Sequence, residues 1–397
     1  MKRIFGTLVA LGVWMTPVMV TVGEQPSWGQ TPQLSAEEKE AAIVQLINYA
    51  RQLEQQGKPQ EALEIWQKVL VISEKLELRE LEASAWNEIG YNAQTVGKLQ
   101  LSIQAYKQAL DLVRALQDRK GEGAILNNLG VTYKNIGQMQ RAIEYFKQAL
   151  FIAQAIQDRH GEAVTLNNLG EVYSGIGQSQ QSIKHLKQAL PIFREMQDRE
   201  GEAKTLTDLG LVYQNIREAQ RAIDYHQQAL HIQREVQDRA GEARTLNYLG
   251  LVYDSVGEPQ QAIEYFRQAL QIFQAMQNRW GEAATLSNLG LVDDNIGKPQ
   301  QAIEYYQQAL SIFRDLQDRG AEAKLLNNLG EVYRSTGEVQ QAIEYYQRAL
   351  PILEEVQDRA AEAGTLNNLG LAYDHVGQFQ QAIEYYKLVL RQCRNGR

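Results

Sequence analysis

Cut every 40 residues from Ala41 onward, the chain falls into nine units without an insertion, the last ending at Arg397. A strict period of this size constrains the fold more than composition does. One such unit cannot bury its own apolar surface, so neighbours must stack and share a core. The period also accounts for the glycines: of 30, 21 stand at the first, tenth and seventeenth unit positions, which makes them structural punctuation.

Unit 3 (121–160) shows the pattern. Leu126, Leu129, Gly130 and Tyr133 recur at i, i+3, i+4 and i+7, which predicts one face of an α-helix. Gly137 ends that helix, and Ala142, Phe146, Ala149 and Leu150, extended by Ile152 and Ile156, predict a second. Glycine at position 17 lets the backbone turn between the two; it is present in eight of nine units, with Arg217 as the exception. Asp158 is placed to cap the first helix of the following unit, and Arg159 with Glu162 can pair across its first turn for a few tenths of a kcal/mol. No β-type alternation occurs, so the expected class is all-α.

The recurring residues carry a family resemblance. Trp86, Ile89, Gly90, Ser102, Tyr106 and Ala109 in one unit, and Leu246, Leu249, Gly250, Tyr253, Ala262, Phe266 and Ala269 in another, resemble the tetratricopeptide repeat signature. The 40-residue form is similar to the repeats of the Leu-Gly-Asn spindle-orientation adaptors and of bacterial tetratricopeptide arrays. The resemblance implies an α-solenoid of nine helix-turn-helix units, coiled into a right-handed superhelix whose inner face is lined by the first helix of each unit. Unit 1 (41–80), with Ala50 in place of the glycine and Trp66 in the large aromatic slot, is expected to serve as an end cap.

Ahead of the array, Lys2 and Arg3 precede an uncharged stretch from Ile4 to Val22, the pattern of an export signal. Residues 1–23 are therefore expected to be a signal peptide or, in the rival reading, an uncleaved N-terminal anchor. Residues 24–40 read as a linker and the start of the first helix, opened by Ser35 and Glu38 at capping-box spacing, and 41–397 as the array. The expected location is exported: periplasmic or secreted, or held to the membrane through the N-terminus.

A helical wheel of the first helix turns unit positions 6, 9, 10 and 13 to the core and positions 4, 8, 11 and 15 away from it. Position 8 reads Glu88, Asn128, Asn168, Asp208, Tyr248, Asn288, Asn328 and Asn368. An asparagine amide matches a peptide bond's N–H and C=O, so such a row can hold an extended chain by its backbone; some tetratricopeptide arrays use a ladder of this kind. The alternative is that the amides, with those of Asn87, Asn127, Asn167, Asn247, Asn327 and Asn367 at position 7, bridge neighbouring helices or water.

Five ladder asparagines making two bonds each would contribute about 5–15 kcal/mol. Ordering a peptide costs roughly 2–5 kcal/mol, and a micromolar complex needs about 8 kcal/mol net. Apolar anchors are therefore required as well. Position 11 offers Leu211, Leu251 and Leu291, which with Tyr248 form the central candidate, unless they pack on the next helix instead. Lys204 and Arg244 beside them would favour an acidic partner.

Other functions find little support. The single cysteine, Cys393, and five scattered histidines supply no thiolate or histidine metal cluster, and a net charge of -8 suits nucleic acid poorly. Cys393 has no histidine within a turn, and spacings such as Gly170 to Gly177 lack the Lys-Ser/Thr of a phosphate loop. Asp293 stands where most units bury a tyrosine, and the Asp293–Asn295 patch is expected to be a soft spot in preference to a metal site. No cofactor, metal or catalytic residue is expected.

The expected function is an exported scaffold that binds a peptide or protein segment in its concave groove. Two alternatives stand beside it: a bacterial peptide-sensing regulator whose superhelix changes shape with ligand, and an enzyme component relying on a partner's catalytic domain.

Overall fold

In the computed structural model, residues 36–395 are described, with side-chain burial given for 41–392. The expected signal or anchor at 1–23, most of the linker and Ser35 lie outside the described residues. The described chain forms eighteen α-helices, Ala36–Gln55 through Phe379–Asn395, with no strand among them. No helix there is long and apolar enough to cross a membrane. Each unit supplies a first helix, A, and a second, B, giving the α-solenoid of nine hairpins that the period implies.

Within the hairpins the periodic residues meet as expected. In units 2, 3 and 5 to 9 the position-26 ring lies over the position-10 glycine, so closely that a Cβ on Gly330 would stand 2.5 Å from the Tyr346 ring. Glycine is thus required for contact there. At position 17 the requirement is conformational: eight glycines adopt φ between 71° and 85°, and Arg217 is forced to φ 60° in the ninth turn. The B-to-A turns also need a positive φ, yet a glutamine or glutamate supplies it, from Glu77 (56°) to Gln357 (58°).

The next residue caps each A helix from unit 3 onward. Asp158 Oδ1 accepts from the Gly161 N–H at 3.0 Å, and Asp198, Asp238, Asn278, Asp318 and Asp358 do the same for their helices. The Arg159–Glu162 pair forms at 2.5 Å, but it belongs to a larger clasp than the sequence suggests. In unit 6, for example, Glu242 is 5% exposed and accepts from Arg239 at 2.6 Å and from Arg234, on the preceding B helix, at 2.8 Å. The clasp therefore ties one hairpin to the next.

The curvature follows from which helices touch. At six of the eight junctions the A helices of successive units contact one another, whereas B helices of successive units make no comparable contact among the described residues. The stack therefore closes towards the A helices, and their outer sides form the concave face. On the opposite face Gln300, Gln301, Glu304, Gln307 and Gln308 are all exposed.

Candidate functional site

The concave face is built from A-helix positions 4, 7, 8, 11, 14 and 15. Positions 5 and 12, which a single-helix wheel leaves undecided, are buried between adjacent A helices, as Thr205 and Val212 illustrate. This lateral packing governs what the asparagines do. The Asn128 side-chain amide donates to Asn87 Oδ1 at 3.2 Å, Asn168 to Asn127 Oδ1 at 3.0 Å, and Asn368 to Asn327 Oδ1 at 3.3 Å. Asn167 donates to the Asp208 carboxylate at 2.9 Å while accepting from the Thr205 hydroxyl at 2.8 Å.

Positions 7 and 8 thus form a relay from unit to unit. In the bonded units one donor of the position-8 amide is committed to that relay. Asn288 and Asn328 are half-buried on the same row. Tyr248 stacks on His226, with ring centroids 5.5 Å apart, and burial raises the pKa of its phenol.

The position-11 stripe is graded. Leu251 packs partly against the core beside Phe266 and Val292, and Leu211 is half-buried. Leu291 and Leu371 are each 42% exposed, and Tyr91 is 51% exposed. These open apolar side chains lie on the same face as the position-8 row.

The charge near the centre is largely matched. Lys204 Nζ lies 3.6 Å from both Glu171 and Asp208, and Lys134 Nζ lies 2.6 Å from Glu171. Burial disfavours the Glu171 carboxylate, but the bond and charge of Lys134, with Lys204 behind it, hold its pKa below the ordinary value. Burial dominates at Asp208 and raises its pKa, although Lys204 and Asn167 oppose the rise. Arg244 is exposed and has no ion pair among the described residues, whereas Lys204 is occupied.

These groups border a cavity of about 480 Å³ lined by Lys134, Glu171, Leu186, Asp208 and Leu211, among others. Sequence reasoning missed the cavity. Its signal was available in the register: Leu186 stands at position 26, where units 2, 3, 6, 7, 8 and 9 carry Tyr or Phe.

Unit 5 departs from the pattern differently. His226 takes the ring position, is fully buried, and leaves both ring nitrogens without a hydrogen-bond partner. Burial pushes its pKa down to about 4. At Asp293, 4% exposed, burial raises the carboxyl pKa against the pull of Lys298 and Arg267. No group of three metal-ligating side chains occurs among the described residues.

With the geometry in hand, comparison with known proteins gives the class. Tetratricopeptide repeat profiles match residues 40–115, 121–195, 201–275 and 321–395, and a further one matches 285–320. The chain belongs to the tetratricopeptide repeat family. No curated protein sequence matches it.

Several solved structures share the fold. A signal transduction ATPase with numerous domains from Pyrococcus horikoshii, bearing a tetratricopeptide repeat sensor, is 15% identical with a TM-score of 0.67; the match covers 92% of this chain and 55% of that one. Aspartyl phosphate phosphatase F from Bacillus subtilis is 16% identical over 91% of this chain and 96% of its own, with a TM-score of 0.57. The apo quorum sensor NprR from B. thuringiensis is 16% identical over 90% and 99%, with a TM-score of 0.57.

Proposed function

We propose that the protein is an exported, non-catalytic scaffold that holds a peptide or protein segment along the concave face of its A helices. The observation that carries this reading is the set of open apolar side chains at position 11, Leu291 and Leu371 each 42% exposed, on the face that also carries the position-8 asparagines. An extended segment gains apolar contact from the stripe and backbone hydrogen bonds from the amides left free by the relay. Export rests on Lys2, Arg3 and the uncharged run that follows them.

Leu291→Asp tests the groove without entering the core. Capture from the cell envelope, read by mass spectrometry, should lose the specific partner, while far-ultraviolet circular dichroism stays unchanged. A partner retained undiminished by the variant would refute the groove reading. Fractionation of the expressing cell tests export, since recovery of the protein in the cytoplasm alone would remove that part.

A second reading is a peptide-responsive regulator. Each hairpin contacts only its neighbours, so small changes at each interface would sum to a change of pitch. A Rap protein of the same fold has been solved complexed with Competence and Sporulation Factor, at 18% identity and a TM-score of 0.56. Small-angle scattering separates the readings: compaction on binding supports the regulator, and an unchanged radius supports the passive scaffold.

A further inference from the structure

Units 4 and 8 differ at one ring, and the difference defines a pocket. In unit 8, Tyr346 at position 26 lies over Gly330 and donates its hydroxyl to Glu331 Oε2, at position 11, across 3.0 Å. Glu331 is paired in turn with Arg334 at position 14. Unit 4 keeps the glycine and the acid, as Gly170 and Glu171, but carries Leu186 in place of the tyrosine. Leu186 packs over Gly170 and has no hydroxyl to offer Glu171.

The residues that would cover the gap are also small. Ser174 replaces the longer polar side chain that other units have at position 14, and Gly175 at position 15 faces open space where its Cβ would be. The outcome is the cavity of about 480 Å³, within the range of roughly 300–1,000 Å³ typical of small-ligand sites. Leu211 and Met139 supply apolar wall beside Glu171, Lys134, Asn135, Ser174 and Asp208 supply polar wall, and Leu186 borders the space from its fully buried place in the core.

We propose that this cavity receives a tyrosine side chain of the bound polypeptide, its ring against Leu211 and Met139 and its hydroxyl donating to Glu171, as Tyr346 does to Glu331 within the chain. The inference rests on the groove-binding reading and names the anchor that the groove selects. Charge argues for a neutral phenol: Glu171 and Asp208 already face Lys134 and Lys204, two acids against two bases, so the mouth has no net charge to draw an ion. A side chain with an apolar body and one polar tip fits apolar wall beside an acceptor.

The test uses the full chain and two probes, N-acetyl-3-fluorotyrosinamide and N-acetyl-3-fluorophenylalaninamide, followed by fluorine NMR. A hydrogen bond to a charged acceptor should make the tyrosine probe bind about tenfold tighter than the phenylalanine probe. Leu186→Tyr restores the unit-8 arrangement and should abolish binding of both, with circular dichroism and melting temperature checked for a retained fold. Glu171→Gln, which leaves the core untouched, should weaken the tyrosine probe about tenfold and spare the other. Equal affinities of the wild type for the two probes, or binding undiminished in Leu186→Tyr, would overturn the pocket. Loss of partner capture in Leu291→Asp combined with no probe binding would overturn the pocket while leaving the groove reading in place.

Discussion

Replacing His226 by phenylalanine should both raise stability and remove a specific pH dependence. The native imidazole is fully buried, stacks on Tyr248, and leaves Nδ1 and Nε2 unpartnered. Each unsatisfied buried polar atom costs about 1–3 kcal/mol. Phenylalanine already fills the equivalent place as Phe146 over Gly130 and Phe266 over Gly250, so the substitution needs no new space. A gain of about 1–3 kcal/mol at pH 7.5 is expected.

The pH effect follows from the depressed pKa of about 4, against an ordinary histidine value of about 6.5. Below about 6.5 the unfolded chain takes up a proton that the folded one refuses, so stability falls as pH drops towards 4. Between pH 7.5 and pH 5 the native chain should lose about 2 kcal/mol through this group, and His226→Phe should lose none of it. A repeat array need not unfold as one unit, so the measurement has to be local. Hydrogen exchange read on peptides from residues 199–255, in both chains at both pH values, reports the opening free energy there. An identical acid-induced loss in the two chains, or a variant less stable at pH 7.5, would refute the reasoning.

Other substitutions test the remaining departures from the period. Asp293→Tyr restores the stack that neighbouring units form, as Tyr253 does with Tyr265 at 5.3 Å, and should raise the melting temperature by the equivalent of about 1 kcal/mol at pH 7. Because burial raises the Asp293 pKa, the native penalty applies when the acid is charged, and the advantage of the variant should shrink as pH falls into the carboxylate range. Arg217→Gly relieves a side chain held at φ 60° and should stabilise by about 1 kcal/mol in denaturant melts, whereas a loss would mean that Arg217 makes a compensating contact. Glu242→Ala breaks the clasp with Arg234 and Arg239; both arginines are half-exposed, so a loss of only about 1 kcal/mol, smaller in high salt, is expected from thermal melts.

The hairpins were legible because their signals are local. Leu126, Leu129, Gly130 and Tyr133 sit within one helix, and the Asp158 cap acts three residues away, so spacing alone placed them. The concave face was less legible because its contacts join residues about 40 apart. A wheel drawn for one helix shows Asn128 pointing away from its own core, and it cannot show Asn87 arriving from the preceding helix. Lys204 likewise read as free charge because Glu171 lies in another unit.

The positive φ at Gln237 left no trace, since the residue expected in that conformation is glycine. Leu186 differed visibly from its counterparts, but the consequence of a missing ring depends on what surrounds it. Only three dimensions reveal that Ser174 and Gly175 leave the same spot uncovered.

Nearest-neighbour contact also has a mechanical side. A load applied to the two ends of the array would pass through eight junctions in series, so each would bear the whole force and the feeblest would part first. The B helix of unit 5, which buries His226 and Gln233 with unpaired polar atoms, borders the junction expected to give way. Stretching the protein in an optical trap should therefore divide it near the middle, leaving two shorter coils that each remain folded.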